Sequence, residues 1–175
     1  MSARLKNKIP GAKQQVVFFL LFAVLLAADL VSKSAIFEFL ADKEGYSWPL
    51  LGDFIALTAR VNPGAAFSIA SGSTWLLVAV SAAAVTAALV IFELGLVKGR
   101  YAVLLSVFTA GAAGNLYDRI FNDGYVRDFI DVNLYVNNYH WPTFNVADSL
   151  MCISVGLYLI FHYADESKKN KHNSS

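Results

Sequence analysis

Residues able to carry acid–base chemistry crowd into one stretch of this sequence, Gly111–Ser149. It holds GAAGNLYDR (Gly111–Arg119), YVRDFID (Tyr125–Asp131) and FNVADS (Phe144–Ser149), with strongly apolar segments on either side. Ionisable groups at the ends of apolar helices are costly and call for a purpose. The pair singled out is Asp128 and Asp148. They are too far apart in sequence to share a helix turn, so a loop must bring them together above a bundle. Two carboxylates at contact distance cannot both ionise cheaply; one keeps a proton and the pair titrates as a unit. The ionised member can take a proton from water. The other can polarise a scissile carbonyl and later protonate the leaving nitrogen. That is peptide hydrolysis without a metal or a covalent intermediate. The same two acids also suit a proton relay in a small proton-coupled transporter. In a third reading the polar residues only glue helices together in an assembly factor. Residue type does not separate Asp118 and Asp131 from the pair.

Other catalytic sets are missing from the sequence: there is no GxSxG, HExxH or P-loop. His140 has no second His or Cys at ligand spacing, so neither a metal nor another cofactor is expected. The single Cys152 lies in an apolar segment and reads as a small buried packing residue. Each singled-out residue also has a plain structural role. Asn145 is a candidate N-cap, and Asp148, three residues on, a capping carboxylate. Asn62-Pro63-Gly64 is a turn signal. Asp118 and Arg119 can be an interfacial charge pair, and Asp29 and Lys33, four apart, a helix-end ion pair. Gly111, Asn115, Asp118 and Arg119 recur at three- and four-residue spacing and fall on one helix face.

The elements that must position these groups follow from composition. Of 175 residues, 57% are hydrophobic and 15% charged, against about 25% charged in soluble domains. This is an all-α polytopic membrane protein: four transmembrane helices with a small extracytoplasmic β-rich loop region. A net charge of +1 gives no basic field for nucleic acid. Residues 1–15 form a basic cytoplasmic tail. Residues 16–164 form a single four-helix membrane domain, and residues 165–175 a polar, disordered C-terminal tail. The apolar segments are Val16–Leu40, Thr74–Val97, Tyr101–Phe121 and Asn145–Ala164. The basic start followed by a short apolar core also resembles a cleavable leader, but the apolar pattern continues through Leu40, the length of a membrane span. Ser73 is placed to cap the second segment. Residues 41–73 include the strand-like DFIALTARV, with Tyr46 and Trp48 suited to the headgroup layer. In the loop 122–144, YVRDFIDVNLYV is either a strand or a short interfacial helix, and Tyr135, Tyr139, Trp141 and Phe144 suit headgroup contact. Arg4, Lys6, Lys8, Lys13, Lys98, Arg100, Lys168, Lys169 and Lys171 put both termini in the cytoplasm by the positive-inside rule. The long loops and both aspartates then face outward.

Taken together, DLVSK (29–33), NPGAAFS (62–68), GAAGNLYDR (111–119), VRDFID (126–131) and FNVADS (144–149) resemble the lipoprotein signal peptidase (signal peptidase II) family, in that family's order and spacing. The resemblance covers nearly the whole chain apart from the tails. It implies a bacterial intramembrane aspartic endopeptidase with Asp128 and Asp148 as the catalytic pair; excluding Asp118 and Asp131 rests on this resemblance. It further implies that Asn62, Gly64, Asn115, Arg119 and Asn145 line or support the site, that Asp29 and Lys33 brace it from the first helix, and that Asp118 positions the third segment. The implied substrate is a diacylglyceryl-modified prolipoprotein cut before its lipidated cysteine. Globomycin-type cyclic peptides are the implied inhibitors. The implied setting is the inner membrane with its lipids, the site facing the periplasm. A monomer suffices for the chemistry.

Overall fold

The computed structural model describes residues 9–64, 74–135 and 140–173. Four long helices account for most of it: α1 (Ala12–Leu40), α2 (Thr74–Glu93), α3 (Arg100–Phe121) and α4 (Val146–Asn173). Helices α1, α2 and α4 are long and apolar enough to cross a membrane. Helix α3 is of membrane-spanning length but lacks so long an apolar stretch. Its place in the bundle explains why: it packs against all three of the others. The central helix shows lipid the least surface, so its polar residues can turn inward. Ser106, Thr109, Asn115 and Asp118 are all buried.

The segments between the helices form a four-stranded antiparallel sheet in the order β1-β2-β3-β4. The strands are β1 (Ser47–Leu51), β2 (Ile55–Asn62), β3 (Val126–Asn133) and β4 (His140–Phe144). DFIALTARV is thus largely β2, and of the two conformations open to YVRDFIDVNLYV the strand is adopted. The sheet rests on the ends of α1 and α3 through β2 and β3. The pairing of β2 with β3 is irregular between Leu57 and Arg60, the kind of bulge that re-aims side chains beside a site. Tyr46, Trp48, Leu50, Tyr135 and Trp141 are exposed along this layer, as suits the headgroup region. At the opposite end of the bundle Phe18 stacks on Phe92 at 3.8 Å and Ala102 packs beside them.

Two expectations are corrected. Residues 165–173 are helical, because α4 runs on to Asn173. Its last turns are held by Asp165, which accepts from Arg100 and Tyr101, and by the Lys169–Glu166 pair. Cys152 is exposed on the outer face of α4, not buried, since α4 turns Ser154 and Ala147 inward in its place. Ser73, Tyr139 and residues 65–68 of the NPGAAFS motif lie outside the described residues.

Candidate active site

Strand pairing delivers Asp128. Asn62 at the end of β2 opposes Val126 on β3, and Asp128 is two residues further along the same face, within diagonal reach. Asn62 Nδ2 donates to Asp128 Oδ2 at 2.8 Å. Asn62 is itself set by a turn, in which the Gly64 N–H donates to its Oδ1 at 2.8 Å. Gly64 has φ +92, and a Cβ there would lie 2.4 Å from Leu77 of α2, so the turn fits glycine alone.

Helix α4 delivers Asp148 through a capping box. The Asp148 N–H donates to Asn145 Oδ1 at 2.9 Å, and the Asn145 N–H donates back to Asp148 Oδ2 at 3.2 Å. The capping roles expected of both residues are therefore real, and they do not use up either side chain. Asn145 Nδ2 donates to Asp128 Oδ1 at 2.7 Å, and Asn115 Nδ2 donates to the other Asp148 oxygen at 2.8 Å. One residue, Asn145, thus touches both carboxylates. Among the described residues neither acid enters an ion pair; neutral amides orient both without forcing either to ionise.

Behind this layer lies a buried ionic brace. Lys33, with a fully buried side chain, offers its ammonium to Asp29 Oδ2 at 2.8 Å, Asn115 Oδ1 at 2.9 Å and Asp118 Oδ2 at 3.3 Å. Three protons meet three acceptors from two helices. Asp29 Oδ1 accepts the Ala147 N–H at 2.8 Å, one of the donors that a helix start leaves without an intrahelical partner. Asp118 accepts from the Arg127 guanidinium at 2.7 Å and from its backbone N–H at 2.9 Å. It therefore fixes the start of β3 one residue before Asp128. The Asp29–Lys33 pair is thus no solvated helix-end bridge. Asp118 is committed to this brace, and Asp131 pairs with His140 at 2.8 Å on the far part of the sheet. Neither of these acids joins Asp128 and Asp148.

The brace closes only because α3 is bare where it meets its neighbours. A Cβ on Gly114 would stand 2.3 Å from Asp29 Oδ2, and one on Gly111 would stand 2.5 Å from the Ala147 carbonyl oxygen. Gly114→Ala is therefore expected to lower both the melting temperature and catalytic turnover. Gly156→Ala, where nothing lies within 4 Å, should leave both near wild type. Thermal unfolding of the purified variants checks this, and equal behaviour of the two would contradict it.

Burial pushes the Asp128 carboxyl up to about 6, and the nearby Asp148 charge adds to the rise. The Asn62 and Asn145 amides and the Lys33 ammonium pull the other way. The Arg119 guanidinium lies close enough to Asp148 and Asp128 to feel both charges. Among the described residues its Nη1 reaches the Asn115 carbonyl at 3.4 Å and its buried Nε has no partner.

Asp29, Lys33, Asn62, Asn115, Asp118 and Asn145 thus gather with Asp128 and Asp148 in this cluster or its brace, whereas Asp131 and His140 lie outside it. Arg127 and Gly114 were not singled out. Arg127 was legible only as one more charge in a strand-like run, and Gly114 only as one of several small residues. Nothing in local spacing signals that Gly114 faces a carboxylate 85 positions earlier in the chain, at Asp29.

This arrangement can be set beside known proteins. The family model described as "Signal peptidase (SPase) II" matches residues 21–164. A lipoprotein signal peptidase of Brevibacillus brevis is 36% identical over 155 residues, covering 88% of this chain and 99% of that protein. One from Halalkalibacterium halodurans is 34% identical over 161 residues, covering 91% and 100%. A bacterial membrane enzyme solved by the in meso method at 2.3 Å superposes with a TM-score of 0.72 at 32% identity, over 87% of this chain and 90% of that one.

Proposed function

The chain belongs to the signal peptidase II family, and from that premise we propose that Asp128 and Asp148 are its catalytic dyad. The family's activity is that of an aspartic endopeptidase that removes the signal peptide from prolipoproteins. The observation that carries the dyad is Asn145, which hydrogen-bonds both carboxylates at 2.7 and 3.2 Å while neither acid has an ion-pair partner among the described residues. A structural carboxylate buried as deeply as Asp128, at 2% exposure, would ordinarily be paired with a cation.

Roles within the dyad follow from its surroundings. Asp128 is the protonated member, because burial favours its neutral form. Asp148, at a helix start and holding two N–H donors, is the ionised member. Asp148 takes a proton from a water molecule as the water oxygen bonds to the scissile carbonyl carbon. Asp128 gives its proton to the carbonyl oxygen, and a neutral tetrahedral diol forms. The C–N bond then breaks, the nitrogen takes the proton held by Asp148, and Asp128 recovers its proton from a diol hydroxyl. The cycle consumes one water and restores both acids. Asn62, Gly64, Asn115 and Asn145 hold the two acids. Arg119, whose Nε has no partner among the described residues, holds a backbone carbonyl of the bound peptide. Asp29, Lys33 and Asp118 brace the frame.

All four long helices cross the membrane, α3 shielded by the other three. The Lys and Arg at the two tails and in the α2–α3 loop place that end in the cytoplasm. The sheet and the dyad then face the periplasm across the inner membrane. The substrate is a diacylglyceryl-modified prolipoprotein cut before its lipidated cysteine. Its acyl chains lie between helices while the peptide crosses beneath the sheet, and a monomer performs the reaction. Globomycin-type cyclic peptides inhibit by occupying the same path.

The pH dependence tests the role assignment. Asp128 must hold its proton to act as the acid, so kcat/KM is expected to fall as pH rises through about 6. The Asn62 N–H favours the charged carboxylate. Asn62→Ala therefore raises the Asp128 pKa, and the alkaline limb should move to higher pH. Initial-rate profiles with a lipidated precursor peptide check this. A limb that stays put or moves down in Asn62→Ala would overturn the assignment of the proton to Asp128.

A further inference from the structure

Arg127 stands one place before Asp128 on β3, and alternation along a strand sends the two side chains to opposite faces. Arg127 therefore cannot reach the dyad with its own side chain. Its guanidinium turns instead to Asp118 of α3. Nη2 donates to Asp118 Oδ1 at 2.7 Å and Nε donates to the same oxygen at 3.2 Å. The backbone N–H of Arg127 donates to the other oxygen, Oδ2, at 2.9 Å. One buried carboxylate thus holds residue 127 by its side chain and its main chain together. The remaining nitrogen, Nη1, donates to Ser34 Oγ of α1 at 3.2 Å. The Arg127 carbonyl accepts from Asn145 Nδ2 at 3.3 Å, and the same amide nitrogen donates to Asp128 Oδ1 at 2.7 Å.

These ties stand where a neighbouring strand would otherwise hold the chain. The pairing of β3 with β4 begins at Ile130, so beside Arg127 the β3 main chain is held by Asp118 and Asn145 in place of β4. The direction in which Asp128 leaves the strand follows from the dihedrals at residues 127 and 128. The N–H and the carbonyl of Arg127 are both fixed by groups of other elements, so those dihedrals are fixed with them. Charge adds a second reason for a cation here. Asp118 is fully buried between Lys33 and Arg127, and Asp29 faces Lys33. Two acids meet two cations, and the brace is neutral only with Arg127 in it. We propose that Arg127 is a positioning residue for the reaction: its guanidinium, docked on Asp118, sets the main-chain geometry that aims Asp128 at Asp148. The role rests on the dyad assigned above. An acid–base pair out of line slows the bond-making step, and the path of the bound peptide is untouched.

Single-turnover cleavage of a lipidated precursor peptide by the purified full-length protein tests this, with Arg127→Ala, Arg127→Lys and Asp128→Asn compared below their melting temperatures. Arg127→Ala is expected to lose about a hundredfold in the rate at saturating substrate, with KM unchanged. Guanidinium ion added below denaturing concentration should restore part of that rate by docking on Asp118, and urea at the same concentration should not. Arg127→Lys keeps the charge but not the forked donors, so its rate should fall between those of Arg127→Ala and wild type. Should Arg127→Ala fail to fold, the lysine variant carries the test alone through its rate and KM. A wild-type rate in Arg127→Lys and Arg127→Ala, a loss that falls on KM, or a rate in Arg127→Ala that guanidinium leaves unchanged would overturn the proposal. Asp128→Asn separates this from the dyad itself. It should be inactive and beyond rescue by guanidinium. An inactive Asp128→Asn beside a fully active Arg127→Ala would remove the positioning role and leave the dyad standing, whereas an active Asp128→Asn would remove both.

Discussion

Replacing Asp128 or Asp148 by asparagine is expected to lower cleavage of a lipidated precursor peptide by at least about a thousandfold, since each change removes one partner of an acid–base pair. The two variants should differ in stability. Both oxygens of Asp128 accept from side-chain amides, Asn62 on one side and Asn145 on the other. An asparagine there turns an N–H₂ toward another donor in a buried position, at a cost of about 1–3 kcal/mol. Asp148 also accepts from two donors, Asn115 Nδ2 and the Asn145 N–H, but it is only half-buried, so an asparagine there can keep the capping-box acceptor and turn its N–H₂ toward a position that solvent reaches. Asp148→Asn should therefore melt close to wild type and Asp128→Asn somewhat lower, both folded and both inactive. Initial rates and thermal unfolding on the same purified samples check this.

The second large effect is on stability. Lys33→Met keeps the volume of the side chain and removes its charge from among Asp29, Asp118 and Asn115. Asp118 keeps Arg127, but Asp29 loses the only cation facing it among the described residues. Breaking a buried ion pair from one side costs about 3–5 kcal/mol, and Asn115, which orients Asp148, loses a donor as well. The melting temperature is expected to fall sharply and activity with it. Lys33→Arg should not rescue, because a planar fork cannot point one ammonium at three acceptors. A melting temperature unchanged in Lys33→Met would remove the brace from the account.

Much of this frame could be read from residue pattern. The strands of the 41–73 and 122–144 loops, the Asn145 cap and the polar face of α3 follow from alternation, capping chemistry and three-to-four spacing, all of which act locally. The long-range pairings did not show in the pattern. Ala147 donates to Asp29 across 118 positions and Lys33 to Asn115 across 82, and no local pattern encodes which partner a buried carboxylate will meet. The length of α4 escapes the pattern for a related reason. Its last turns are polar and look like a solvated tail, yet they are anchored by the contact of Asp165 with Arg100 on another helix. The exposure of Cys152 is not legible in composition, because an apolar segment in a membrane bundle presents two apolar faces, one to protein and one to lipid.

The central claim is that Asp128 and Asp148 act as one unit on one water. The most direct measurement is single-turnover cleavage of a lipidated precursor peptide by Asp128→Asn, Asp148→Asn and the double variant. Groups that act as a unit lose their effect together. The double variant should be no slower than the slower single variant, all three far below wild type. Losses that multiply in the double variant, or a single variant that keeps a substantial part of wild-type turnover, would contradict the dyad.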